Sequence, residues 1–237
     1  SSIQFLLYKF AYLVMDFPEI KEIDINPFAV DENGGVVLDA KIVLDSSPEA
    51  LHAKPYSHLV ISPYPKQYIS KFKMKDGTDV TLRPIRPEDE PLEHEMFTHF
   101  SEKTMQYRFF HPIKDITHEL LIRFTQIDYD RELAIIAELT EDGKKKMAGV
   151  VRIIADPYNE TAEFAIVVAD PWQKKGLGSR LTDYILEIAG KKGLKRIYAE
   201  ILEENVEMVH ILEKRGFTVT RHGDLCHAEL DMRAPRQ

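Results

Sequence analysis

Residues 165–178 read Ala165-Ile166-Val167-Val168-Ala169-Asp170-Pro171-Trp172-Gln173-Lys174-Lys175-Gly176-Leu177-Gly178, and Leu181-Thr182-Asp183-Tyr184-Ile185-Leu186 follows with apolar residues at helical spacing. A buried strand therefore runs into a glycine-bearing turn and then an amphipathic helix. The first N–H groups of a helix lack internal acceptors and lie at the positive end of its dipole, so such a turn suits a pyrophosphate. The pattern is QxxGxG. It is not the dinucleotide fingerprint, whose third glycine is replaced by Leu181, and no Gly-Lys-Ser/Thr completes a P-loop. The plainer reading of Gly176 and Gly178, a tight turn with no ligand, stays open here.

Outward from this stretch, Glu132–Leu139, Met147–Ile154 and Thr161–Val168 are β-rich runs joined by Asp142-Gly143 and Asp156-Pro157, as in an antiparallel meander. Helices are expected within 88–110, from Thr117 to about Gln126, over 177–191 and over 205–215. Strands are expected through 80–85, over 196–201, and near 217–221 and 225–232, with a hairpin around Lys75-Asp76-Gly77. This is a mixed α/β domain, taken as residues 71–233. Asn205 reads as the N-cap and Gly216 as the C-terminal cap of the 205–215 helix, and capping alone would explain Asn205.

Before this domain, residues 46–70 carry Pro48, Pro55, Pro63 and Pro65 and read as a linker, with His58-Leu59-Val60-Ile61 and Tyr64 as apolar anchors. Residues 1–45 read as one helix over 3–15, stopped at Phe17-Pro18, and two strand-like runs, 20–30 and 36–42, joined at Asn33-Gly34-Gly35. So few elements enclose little core, and the segment looks like the tail of a larger domain.

Composition sets the outer bounds. The chain has 237 residues, 44% hydrophobic and 30% charged, which excludes a wholly disordered or collagenous protein. A net charge of −8 has the wrong sign for electrostatic capture of nucleic acid. The single cysteine, Cys226, permits no internal disulfide or zinc finger and fits a reducing cytoplasm, with Cys226 as inert packing. No apolar run approaches the roughly 18 residues of a membrane span, so no membrane partner is expected. His94 and His99 imitate a zinc-binding helix, but their five-residue offset turns the imidazoles about 140° apart. Lys144-Lys145-Lys146 reads as a solvated hairpin tip.

The QxxGxG turn, followed one strand later by an Asn-bearing helix ending in Gly216-Phe217, resembles the GNAT acyltransferase superfamily over about residues 77–232. The resemblance implies a mixed, mostly antiparallel central sheet flanked by helices, with acetyl-CoA as cosubstrate and no metal. It implies that Gln173, Lys174, Lys175, Gly176, Gly178 and Ser179 hold the CoA pyrophosphate. The backbone of Val167, Val168 and Ala169 would meet pantetheine and the thioester carbonyl, Asn205 the CoA arm, and Trp172 would pack. The stretches His58–Pro65, Asp76-Gly77-Thr78 and Leu82–Asp89 are similar to the junction and domain start of bacterial Pat-type protein lysine acetyltransferases. Phe17–Pro27 resembles the last part of an ATP-grasp domain, in which Asp24 and Asn26 would face one way toward Mg²⁺.

Amide formation from a thioester requires a neutral amine, whereas lysine is protonated at pH 7, so a base is needed. Glu163, within Thr161-Ala162-Glu163-Phe164-Ala165, is the candidate, its apolar neighbours being expected to desolvate it. The resemblance assigns a glutamate at this strand position to general-base catalysis; the alternative is a strand carboxylate paired with Arg152 or solvent. Many GNAT enzymes carry a tyrosine general acid where this chain has Leu212, and Tyr198 and Tyr158 are weak substitutes. The expected activity is acetyl transfer to protein lysine Nε, on the active-site lysine of an AMP-forming acyl-CoA synthetase. A small-molecule amine N-acetyltransferase and an acyl-CoA-sensing regulatory module are the alternatives.

Overall fold

The computed structural model describes residues 2–31, 34–47, 59, 62–111, 113 and 115–233. They fall into two compact units, Ser1–Pro63 and Tyr64–Gln237.

The first unit contains helix α1 (Ser2–Asp16) and strands β1 (Ile20–Ile25), β2 (Phe28–Asp31), β3 (Gly34–Val37) and β4 (Ala40–Leu44). The two strand-like runs read from the sequence are thus four strands, because Pro27, which has no N–H, separates β1 from β2. β1 pairs antiparallel with β4, and β2 with β3. The Asp31 carboxylate accepts from the Gly34 N–H at 2.9 Å at the hairpin end, while Asn33 lies outside the described residues. Phe5, Leu7 and Tyr8 of α1 are exposed.

Of the expected linker, residues 48–58, 60 and 61, including the anchors His58, Val60 and Ile61, lie outside the described residues. Tyr64 is the first residue of the second unit and packs within it. Its hydroxyl donates to the Pro84 carbonyl at 2.9 Å, its ring meets Tyr129 edge-on, and the Arg86 guanidinium lies 4.4 Å from its centroid.

The second unit is built on an eight-stranded sheet, with strands β5 (Ser70–Lys73), β6 (Asp79–Pro84), β7 (Glu132–Glu141), β8 (Lys144–Ala155), β9 (Thr161–Val168), β10 (Arg196–Leu202), β11 (Thr218–His222) and β12 (Leu225–Asp231). Their order across the sheet is β11-β12-β10-β9-β8-β7-β6-β5, and only β9 and β10 run parallel. The long β7–β8–β9 meander matches the alternation read from the sequence. Helix α2 (Glu90–Thr98) packs on β8, with α3 (Glu102–Phe109) against β9 and α4 (His118–Thr125) against α2. Helix α5 (Leu177–Lys192) packs over β7, β8 and β9, and α6 (Val206–Glu213) over β11 and β12. The apolar stripe of α5, including the fully buried Leu181 and Ile185, carries this layer, each such side chain contributing about 1.5–3 kcal/mol relative to exposure.

The Leu82–Asp89 stretch has a structural reason. Arg83 is buried and donates to both carboxylate oxygens of Asp89 at 2.6 Å and to Glu138 at 2.7 Å, tying β6 to β7 and to the turn before α2. Burial pulls the Arg83 pKa down, but the two carboxylates outweigh it and leave it above its ordinary value. Asp89 also accepts from the Arg86 N–H at 2.8 Å. Cys226 is fully buried, as expected of a packing residue.

Candidate active site

The decisive feature is where β9 and β10 stop pairing. Their parallel register covers Arg196↔Thr161, Ile197↔Ala162 and Tyr198↔Glu163, and beyond Glu163 the strands separate. The rest of β9, Phe164–Val168, keeps its partner β8 on one edge, and β10 stays paired with β12 on its far edge. A cleft of about 790 Å³ opens in the gap, lined from β9, β10, α3, α6 and the turn before α5. Close approach of β8 to β9 requires Gly149, since a Cβ there would lie 2.8 Å from the Val167 carbonyl oxygen.

One end of the cleft is the QxxGxG turn. Gly176 sits at φ +87° as the residue before α5, a backbone conformation that costs an L-residue about 1–2 kcal/mol. The N–H of Arg180 bonds the Gly176 carbonyl at 3.0 Å, whereas those of Leu177, Gly178 and Ser179 precede the first intrahelical acceptor and remain available to an anion. Val167, Val168, Gln173, Lys174, Gly176, Gly178, Ser179 and Asn205 all line the cleft. This donor set fits a pyrophosphate.

Two of the expected contact residues are placed otherwise. Ala169 is fully buried and its N–H already bonds the Ala148 carbonyl at 2.9 Å. Lys175 does not line the cleft, its ammonium lying 3.2 Å from the Asp76 carboxylate at the β5–β6 turn. Gln173 faces the cleft but uses its amide internally, donating to the Val168 carbonyl at 2.9 Å and the Thr104 hydroxyl at 3.1 Å. Trp172 is buried, its ring edge-on to His99, as a packing residue would be. Asn205 caps α6, its Oδ1 accepting from the Met208 N–H at 3.3 Å, which leaves its amide NH₂ to the cleft.

Glu163 lies at the closed end, beside the last β9–β10 pair. It is exposed, so the desolvation suggested by its sequence neighbours does not occur. The reason is strand alternation: Ala162 and Phe164 point to the opposite face, where they are buried. Nor does it pair with Arg152, which donates to Glu132 and, at 2.6 Å, to the Phe124 carbonyl. Burial pushes the neighbouring Tyr198 phenol up, with the charges of Glu163 and Glu200 adding to the effect. Leu212 lines the cleft and offers no proton, and Tyr158 is 84% exposed.

Three cleft or near-cleft groups were not read from the sequence. Tyr107 crosses from α3, its hydroxyl donating to the Glu204 carbonyl at 3.1 Å. Arg108, the next residue, lines both the cleft and a smaller pocket behind β9 that is also lined by the buried Glu93. The one available hint was an arginine set among aromatics in Tyr107-Arg108-Phe109-Phe110. Among the described residues, no three His, Cys, Asp or Glu side chains gather as a metal site, and no helix is long and apolar enough to cross a membrane.

Comparison with known proteins agrees with this architecture. The family model "Acetyltransferase (GNAT) domain" matches residues 79–218, and an ATP-grasp domain model matches residues 1–44. Acetyltransferase Pat of Mycolicibacterium smegmatis is 29% identical over 66% of this chain and 44% of its own length, so this chain spans less than half of that relative. The spermidine N(1)-acetyltransferase of Escherichia coli K12 is 28% identical over 65% of this chain and 80% of its own length. The crystal structure of the GNAT domain of S. lividans PAT superposes with a TM-score of 0.64 at 26% identity, covering 71% of this chain and 99% of that domain. A strand pair that opens at Glu163, a glycine turn feeding α5 and a family match over most of the second unit lead to one conclusion: the chain belongs to the GNAT family of N-acetyltransferases.

Proposed function

We propose that this enzyme transfers acetyl from acetyl-CoA to the Nε of a protein lysine, the target being the active-site lysine of an AMP-forming acyl-CoA synthetase. The observation that carries the reading is the cleft itself, with a pyrophosphate-type turn at one end and an exposed carboxylate, Glu163, at the other. The likeness to Pat and to the S. lividans PAT domain supports a protein acceptor.

In this reading the N–H groups of Leu177, Gly178 and Ser179 hold the pyrophosphate, and the unpaired edge of β9 guides pantetheine toward Glu163. Glu163 takes a proton from the lysine ammonium, directly or through water, and the free amine attacks the thioester carbonyl. A C–N bond forms and the C–S bond breaks, the attacking nitrogen gives up its second proton to solvent to become the amide, and the departing CoA thiolate takes a proton from solvent, since Leu212 supplies none. The exposure of Glu163 suits a base that must meet a large acceptor.

The likeness to a spermidine acetyltransferase favours a second reading, a small polyamine acceptor, and an acyl-CoA sensor would bind without turning over. An acceptor screen with acetyl-CoA tests all three, pairing mass spectrometry of modified lysines on purified AMP-forming synthetases with parallel polyamine reactions. Stoichiometric modification of one synthetase lysine is expected. Turnover confined to polyamines would replace the proposal.

A further inference from the structure

Helix α3 joins the two walls of the cleft. Its N-cap Ser101, then Thr104 and Tyr107, all line the cleft, three residues apart and so along one face of the helix. At its start α3 is fixed to the turn that follows β9. The Ser101 N–H donates to the Asp170 carboxylate at 3.0 Å, the Asp170 N–H donates to the His99 carbonyl at 3.3 Å, and the Thr104 hydroxyl accepts from Gln173 at 3.1 Å. Less than two turns later the half-buried Tyr107 reaches the opposite wall, where its hydroxyl donates to the Glu204 carbonyl at 3.1 Å, just beyond the end of β10.

The place of that carbonyl gives the contact its meaning. Glu204 immediately precedes Asn205, and the Asn205 carbonyl already accepts the Val209 N–H at 3.1 Å as the first acceptor of α6. The Glu204 carbonyl therefore stands before the helical ladder and takes its donor from a residue 97 positions earlier. The other bonds of this turn come from its own side: the Asn205 N–H to the Leu202 carbonyl and the Glu203 N–H to the Asp224 carbonyl, both at 2.9 Å. Arg215 ties α6 to α5, donating to Asp183 at 2.7 Å and to the Ser179 carbonyl at 3.0 Å, but it does so from beyond the C-terminal end of α6. Tyr107 acts at the N-terminal end, where the Asn205 amide faces the cleft. With its one proton committed to the Glu204 carbonyl, the phenol is not poised to protonate a departing thiolate.

We propose that Tyr107 is a positioning residue for acetyl-CoA: its hydroxyl, bonded to the Glu204 carbonyl, sets Asn205 at a fixed span across the cleft from the QxxGxG turn. The inference rests on the reading in which acetyl-CoA lies in the cleft with Asn205 against its arm. A span set before the ligand arrives lowers the ordering cost of binding, whereas without the hydroxyl the ligand itself must fix the head of α6.

The test is calorimetric titration of the whole chain with acetyl-CoA, beside steady-state kinetics with the acceptor identified by the screen. Tyr107→Phe keeps the ring and deletes only the hydroxyl, and Asn205→Ser keeps a capping oxygen while deleting the amide. Tyr107→Phe should weaken acetyl-CoA about fivefold, the loss appearing in KM, with kcat at saturation within about twofold of wild type. Asn205→Ser alone should weaken binding at least as much. Adding Tyr107→Phe to it should cost less than about twofold more, because the amide that the hydroxyl positions is gone. An unchanged affinity in Tyr107→Phe, a loss repeated in full on the Asn205→Ser background, or a fall in kcat with affinity kept would overturn the proposal. Failure of the underlying reading is separately visible: Asn205→Ser alone would then bind acetyl-CoA as wild type does.

Discussion

The side-chain amide of Gln173 donates to the carbonyl of Val168 at 2.9 Å, closing the QxxGxG turn onto the end of the strand that leads into it. The same nitrogen reaches the Thr104 hydroxyl on α3, so one residue ties three walls of the cleft. Gln173→Leu should lower stability by about 1–2 kcal/mol through the two lost hydrogen bonds. It should raise the acetyl-CoA KM several-fold while kcat at saturation changes little. Steady-state kinetics beside urea denaturation checks this, and a loss confined to kcat would contradict it.

Gly176→Asp should abolish tight acetyl-CoA binding. The φ of +87° disfavours any side chain, and in the proposed binding mode a carboxylate there would face the pyrophosphate. Gly176→Ala serves as the control, carrying the backbone strain of about 1 kcal/mol without the added charge. Calorimetric titration should show the aspartate variant weakened far more than the alanine one. Equal affinities in folded protein would remove the pyrophosphate from this turn.

Glu163→Gln keeps the shape and hydrogen-bonding capacity of the side chain while removing its basicity. Turnover should fall by about 10²-fold with acetyl-CoA affinity preserved. The residual rate should climb with pH as the acceptor lysine itself deprotonates. A near-normal kcat at neutral pH, under conditions where chemistry limits the rate, would demote Glu163 to a surface carboxylate.

Burial pushes the Glu93 carboxyl up to about 7, against the pull of Arg152 and Arg108, from an ordinary value of 4.5. Between those values the folded chain holds a proton that the unfolded chain has lost, so this group's contribution to stability falls as pH rises from about 5 to 8. Glu93→Gln removes that dependence. Its stability relative to wild type should therefore improve by about 2 kcal/mol over the same interval, read from urea midpoints at the two pH values. An identical difference at pH 5 and pH 8 would show that Glu93 is already ionised in the folded protein.

The sequence by itself determined whatever depends on neighbours along the chain. The QxxGxG turn, α5 with its buried stripe, the Asn205 cap and the β7–β8–β9 alternation are local matters of periodicity and backbone freedom, and stand where the pattern put them, whereas the 205–215 helix ends at Glu213 with Lys214 as its C-cap and Gly216 follows at φ +87°. Tertiary structure decided what depends on direction and on distant partners. Glu163 sits among apolar residues in sequence and is exposed in space, because successive strand residues face opposite ways. Gln173 belongs to the motif yet spends its amide on Val168 and Thr104, and Thr104 comes from a helix 69 residues earlier. Glu93 and Arg108, on two different helices, meet behind β9 only once α2 and α3 pack on the sheet, and no spacing rule links them. The separation of β9 from β10 after Glu163, which creates the cleft, lies between strands that are each held along their other edge by a different partner, β8 and β12. Such long-range pairing leaves no local signature.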